Sequence, residues 1–263
     1  MPFTERAYRG RYSGHFSQGV KWLLMANFGV YIVQFLLAWS SLGEIFTPFY
    51  LRPIDVAGHF WVWQLVTYMF FHDVHSFFHI LFNMLTLWMF GKDLEEAWGT
   101  TQFLKYYFLC GIGAGVFVVA GNLLFGNPYS STIGASGAIF GLMLAFAMQW
   151  PDREILFSFL FPVKAKYFVM ILGGIQVLSS WASMGGPVSY IAHLGGMGVG
   201  YFYLRSRRGR RRPTLVGRTK TSFWGTMMGQ YNEWKLQRAR RKFQVYLRKQ
   251  GDAPPKDRDR WVQ

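Results

Sequence analysis

The sequence predicts an all-α, polytopic membrane protein built as a bundle of six transmembrane helices. Three observations predict it. Of 263 residues, 51% are hydrophobic and 19% aromatic, against 16% charged. Six apolar runs approach the roughly 20 residues that a helix needs to cross a bilayer. They cover about residues 20–41, 76–91, 101–125, 133–150, 165–181 and 189–204. Finally, Lys and Arg alternate between the connections as six crossings require. A soluble domain of this size buries one core and has no need of six such runs.

Each element has its own reason. The basic segment "MPFTERAYRGRYSGHFSQGVKW" leads into span 1, so residues 1–19 read as a cytoplasmic tail. Span 1 is too long for the apolar part of a signal peptide, and no small-x-small cleavage site follows it, so it reads as a retained span. Residues 42–75 form a long, aromatic, lightly charged loop suited to the membrane interface. The shortest run, 76–91, suffices for a thinned bilayer. The connection 179–190, "SSWASMGGPVSY", is short and uncharged and covers the mouth between spans 5 and 6. The helical bundle is thus expected over 20–205, with a basic cytoplasmic tail at 206–263. The one cysteine, Cys110, excludes an intrachain disulfide.

Charge sets the orientation. Arg6, Arg9, Arg11 and Lys21 precede or open span 1; Lys92 and Lys105 flank the junction of spans 2 and 3; Arg153, Lys164 and Lys166 follow span 4; eighteen more follow span 6. One face thereby collects 27 of the 28 Lys and Arg, and the other collects Arg52 alone. Both termini are therefore expected in the cytoplasm.

In that topology spans 2, 4 and 6 all enter from the outer face. Each carries a polar residue about one turn in: His79 in "SFFHILFNML", Ser136 in "IGASGAIF" and His193 in "SYIAHLGGMG". A rise of about 1.5 Å per residue puts the three at similar depth. Asn83 lies one turn after His79 on the same face. Taken singly, each has a plain structural reading: a membrane serine packs closely or bonds a carbonyl one turn back, and a membrane histidine or asparagine bonds across helices. Their shared depth on three helices favours a common site. Gly134, Gly137 and Gly141 strip one face of span 4, and Ala192, Gly196 and Gly200 repeat every four residues on span 6. Such stripes let two backbones approach. That approach would bring His193 to the Ser136 hydroxyl.

"HILFN", "GASG" and "AHLGG", in this order on alternate spans, resemble the motifs of the rhomboid intramembrane serine proteases. "WQLVTYMFFH" and "FGKDLEEAWGTTQFLKYY" extend the resemblance, which covers about residues 20–205. It implies that Ser136 is the nucleophile and His193 its general base in a two-residue dyad. It implies that His79 and Asn83 form the oxyanion hole with the Ser136 amide, and that span 5 is the lateral gate for substrate helices. Phe140 holds the position where family members often carry a tyrosine that stacks on the catalytic imidazole. The histidines of "HDVHSFFH" are spaced differently from the common pattern, so His72 and His75 both stand for the family's loop histidine.

The chemistry is coherent from the residues. A serine hydroxyl needs a base, and neutral imidazole serves near pH 7. Spans 2, 4, 5 and 6 contain no Asp or Glu, so packing against Phe140 is expected to orient the base. No cofactor is required. His75 and His79 have the i, i+4 spacing of a zinc helix, but Ser76 stands where the H-E-x-x-H pattern needs Glu. The alternative of another class is a catalytically inert rhomboid-like scaffold or chaperone that binds transmembrane helices; it predicts a lost nucleophile or base, and both are present. A transporter would show half-helix pairs or an internal repeat, and neither is seen.

The expected partners are transmembrane protein substrates and, at the tail, anionic lipid. The segment after span 6 carries a net charge of +14 of the chain's +15. Nucleic acid is not expected beside a membrane, whereas anionic headgroups are the economical counterpart. Within the tail, Leu236, Ala239, Phe243, Tyr246 and Leu247 mark an amphipathic surface helix or a solvated stretch. The expected location is multi-pass in a membrane, the cytoplasmic one in a prokaryote.

Overall fold

The computed structural model describes residues 17–38, 40–157, 161–182 and 189–210. The N-terminal tail, residues 183–188 of the capping connection 179–190 and the basic tail with its amphipathic segment lie outside them. The described chain is helical: α1 (Gln18–Leu37), α2 (Pro53–Gly58), α3 (Gln64–Thr67), α4 (Phe77–Trp98), α5 (Thr100–Phe125), α6 (Ser136–Gln149), α7 (Ala165–Ala182) and α8 (Ser189–Arg210). Helices α1 and α5 are each long and apolar enough to cross a membrane by length and composition; α6 and most of α7 are shorter apolar helices.

The distribution of side chains is that of a protein dissolved in lipid. Phe125 is 87% exposed and Leu178 70%, while Asn27 and Gln64 are fully buried. Polar groups inside still need partners, because the surroundings offer none. Three asparagines find them locally. The side-chain amides of Asn27, Asn83 and Asn122 donate to the carbonyls one turn back, of Leu23, His79 and Val118, at 2.7–2.9 Å. Each amide nitrogen thus finds an acceptor without a second helix, while Asn27 Oδ1 stays buried without a hydrogen-bond partner among the described residues.

Helix α6 lies at the centre, packed on α8, α5 and α4. Small residues make the α6–α8 approach possible. A Cβ on Gly196 would collide with the Gly137 carbonyl, and one on Gly141 would sit 3.2 Å from the Gly196 carbonyl of α8 and 2.6 Å from the Cys110 sulfur of α5. Substituting either glycine would force the helices apart. Helices α4 and α5 are joined by Gly99 alone, whose φ of +81° suits glycine. Glu95, near the end of α4, is buried and receives the Gly19 and Val20 amides of α1 at 2.7 and 2.8 Å and the Thr100 hydroxyl at 2.6 Å. A carboxylate there satisfies orphan donors at a helix start and complements the helix dipole.

The fold is mostly helical, as the all-α class expects, with one addition: Glu154–Phe157 (β1) pairs antiparallel with Phe161–Lys164 (β2) between α6 and α7. Two expectations need correction. The loop 42–75 is folded into 3₁₀ turns at Ser41–Phe49 and Tyr68–Phe70 around α2 and α3. And α6 begins at Ser136, not at residue 133, so the serine opens its helix instead of lying one turn inside it.

Candidate active site

The late start of α6 has a local cause. Leu51 and Thr132 exchange two backbone hydrogen bonds, at 3.0 and 2.9 Å, so the chain before Gly134 is extended. The Gly134 amide donates to the Tyr68 carbonyl at 2.9 Å, and the Tyr68 hydroxyl donates to the Gly111 carbonyl at 2.7 Å. Gly134 has φ +121°, and a Cβ there would sit 3.0 Å from His79 Nε2. Conformation and space both demand glycine. Only after it can the helix begin, with Ser136 in its first position.

The close α6–α8 approach then delivers His193. The Ser136 hydroxyl and His193 Nε2 are 2.8 Å apart, the distance at which the hydroxyl donates to a neutral ring. Phe140, one turn after Ser136, stacks on the His193 ring with centroids 4.1 Å apart and planes 10° from parallel. Such a stack contributes about 0.5–1.5 kcal/mol beyond burial. It fixes the plane of the imidazole.

His79 reaches the same space from α4. The Asp73 amide donates to His79 Nδ1 at 3.3 Å. In the neutral ring that leaves the proton on Nε2, the atom facing Gly134. Asn83 is buried one turn further on, with one of its two amide hydrogens given to the His79 carbonyl at 2.8 Å. So Ser136, His193, Phe140, His79 and Gly134 converge as the sequence reading expects, Gly137 and Gly196 form the close contact behind them, and Asn83 lies directly beneath His79.

The two loop histidines separate. His72 is fully buried, its ring 5.2 Å from that of His79. Burial, with His79 nearby, pushes its pKa down to about 4. His75 is exposed and precedes α4, so it shares no helix with His79, and its amide donates to the Asp73 carboxylate at 2.9 Å. His72 is therefore the inward-facing loop histidine. Among the described residues no group of three or more His, Cys, Asp or Glu could hold a metal ion.

One residue escaped the sequence reading. Gln176 of α7 is buried, and its Oε1 lies 2.8 Å from His193 Nδ1. The His193 ring is therefore held by a hydrogen bond as well as by the Phe140 stack. A signal existed: Gln176 is the one amide between residues 165 and 181.

Fold and site together define a helical membrane protein with a half-buried serine–histidine pair. Residues 59–208 match the Rhomboid domain model, more than half of the chain, and the chain belongs to the Rhomboid family. It is 33% identical over 137 residues to Rhomboid protein 1, mitochondrial, of Saccharomyces cerevisiae, covering 49% of this chain and 37% of that one. It is 29% identical over 207 residues to Rhomboid-like protein 19 of Arabidopsis thaliana, covering 74% and 62%. It is 27% identical over 194 residues to Rhomboid-like protease 3 of Toxoplasma gondii, covering 70% and 66%. The matches thus span between about a third and two thirds of these relatives' lengths.

Proposed function

We propose that the protein is an intramembrane serine endopeptidase that hydrolyses peptide bonds in or near transmembrane segments of membrane proteins. The observation that carries this reading is the 2.8 Å contact between Ser136 Oγ and His193 Nε2, with the imidazole stacked on Phe140. The likeness to Rhomboid-like protease 3 of Toxoplasma gondii supports it.

The mechanism follows from the geometry. His193 Nε2 takes the hydroxyl proton as Ser136 Oγ attacks the scissile carbonyl carbon. The carbonyl oxygen becomes an oxyanion, for which preorganised donors matter most in a low-dielectric site. His79 Nε2–H, the remaining Asn83 amide hydrogen and the Ser136 amide are the candidate donors. The His193 imidazolium then gives its proton to the leaving amine. Water repeats the sequence on the acyl-enzyme: its proton goes to His193, and Ser136 leaves with it.

The six long helices serve as six spans in this reading, with both termini cytoplasmic, as the basic residues argue. Helix α6, with 14 residues, is about 21 Å long against roughly 30 Å of hydrocarbon. Its first residue, Ser136, would then lie below the outer rim, at a depth that water must reach for the acyl-enzyme to be hydrolysed. Substrate helices would reach it laterally past α7, and the basic tail would face anionic lipid.

The test is labelling of the full chain with a fluorophosphonate probe and mapping of the modified residue, alongside cleavage of a model transmembrane substrate. Labelling at Ser136 that disappears in His193→Ala supports the dyad. A folded protein that neither labels nor cleaves would be the inert scaffold instead.

A further inference from the structure

We infer that Gln176 is the positioning residue of the dyad, a third member supplied by α7 whose side-chain carbonyl selects the tautomer and orientation of His193. The inference deepens the protease reading and rests on it.

The argument begins with proton counting. His193 can take a proton from Ser136 only if Nε2 is bare, and a neutral imidazole carries its one proton on the other nitrogen. That N–H, at Nδ1, lies in a half-buried setting and needs an acceptor. Among the described residues the group within hydrogen-bond distance is Gln176 Oε1, at 2.8 Å. The Phe140 stack cannot do this work. A flat ring contact holds the imidazole plane but is indifferent to a half-turn of the ring within it, which exchanges nitrogen for carbon at both edges. The Gln176 carbonyl removes that ambiguity.

Its chemistry also suits the place. When His193 gains a proton, the ring becomes cationic, and the Nδ1–H bond to the carbonyl strengthens. A carboxylate would do this more strongly but would put a charge in the apolar interior, which is costly. An amide supplies the acceptor without that charge. The surroundings leave the role to Gln176. From α4 the titratable neighbour is His79, with Asp73 behind it; α6 presents Ser136 and Phe140; α5 meets α8 at Gly113, Phe117 and Gly121. No Asp or Glu occurs in residues 76–91, 133–150, 165–181 or 189–204.

A merely space-filling glutamine makes different predictions. With wild-type labelling at Ser136 established first, Gln176→Leu should lower kcat by about 10- to 100-fold with KM changed less than twofold, because orientation of the base is lost and binding is not. Gln176→Glu keeps an acceptor. It should retain more activity than the leucine variant and move the acid limb of the kcat–pH profile to higher pH, since a carboxylate favours imidazolium. Nitrogen-15 spectra of the wild-type chain, with the His193 signal identified by its loss in His193→Ala, should show the proton on Nδ1. That measurement stands even if a variant misfolds. The inference is overturned by kcat within twofold of wild type in Gln176→Leu, by equal losses in both variants with an unmoved pH profile, or by a wild-type proton on Nε2. A wild type that neither labels nor cleaves overturns the protease reading instead, while the spectra still decide the Gln176 contact.

Discussion

Helix α4 carries a polar cluster near each end, and the two are opposites. At its start, His79 joins Ser136, His193 and Gln176. Near its finish, 16 residues or about 24 Å along the axis, Glu95 holds α1 and the first residue of α5. The Glu95 cluster is charged and saturated: its carboxylate already receives two amides and a hydroxyl. The Ser136 cluster is neutral and unsaturated. His79 Nε2 faces the space beside Gly134, and Asn83 has a hydrogen to spare. Saturated polar groups hold a fold together. Groups with capacity left over are equipped to receive something that arrives later.

Mutation should separate the two ends in kind. Ser136→Ala and His193→Ala should each reduce cleavage at least about 10³-fold with the fold intact, and the double variant should be hardly worse, because members of a unit are not additive. Additive losses would break the dyad. Asn83→Ala should lower kcat by about 10²–10³-fold, the usual cost of one oxyanion donor. A rise in KM at constant kcat would move Asn83 to the structural side of the comparison.

His72 tests the neighbourhood of the site through stability. Its pKa lies near 4 in the fold, below the ordinary 6.5, because of burial and then His79. The unfolded chain therefore binds a proton that the native chain refuses. Stability from this group is complete above about pH 6.5 and falls as pH drops toward 4, by about 3 kcal/mol in all. Thermal unfolding midpoints across that window should fall, and His72→Phe should flatten the decline. At the saturated end, Glu95→Gln should cost about 2 kcal/mol by turning an acceptor oxygen into a donor nitrogen facing a backbone amide. Its kcat at a temperature where it stays folded should be within twofold of wild type. A large kcat loss there would erase the distinction between the ends.

Much of this was legible in the sequence, for physical reasons that vary by residue. His79, Asn83, Ser136 and His193 could be read because a polar group in an apolar run stands out, and three runs entering from one face put those groups at one depth. Phe140 followed from the resemblance to the rhomboid family, whose members often carry a stacking tyrosine at that position. The true start of α6 was hidden because Leu51, 81 positions earlier than Thr132, holds the preceding residues extended, and such pairing has no local signature. The hairpin at 154–164 was missed because "EILF" and "FPVK" are too short for periodicity to separate from a loop. Gln176 was passed over because its partner, His193, lies on a different helix, and a lone amide in an apolar run has a plain packing explanation. His72 and His75 could not be told apart by spacing; burial decided between them.

The Glu95 contact also has a meaning in time. The amides of Gly19 and Val20 are 76 and 75 residues earlier in the chain than the carboxylate that accepts them. A ribosome adding about 5–20 residues per second makes them wait roughly 4–15 s for that partner. Until then the amides at the start of α1 lack this acceptor. The anchorage of α1 through Glu95 is set only when the far end of α4 has been synthesised.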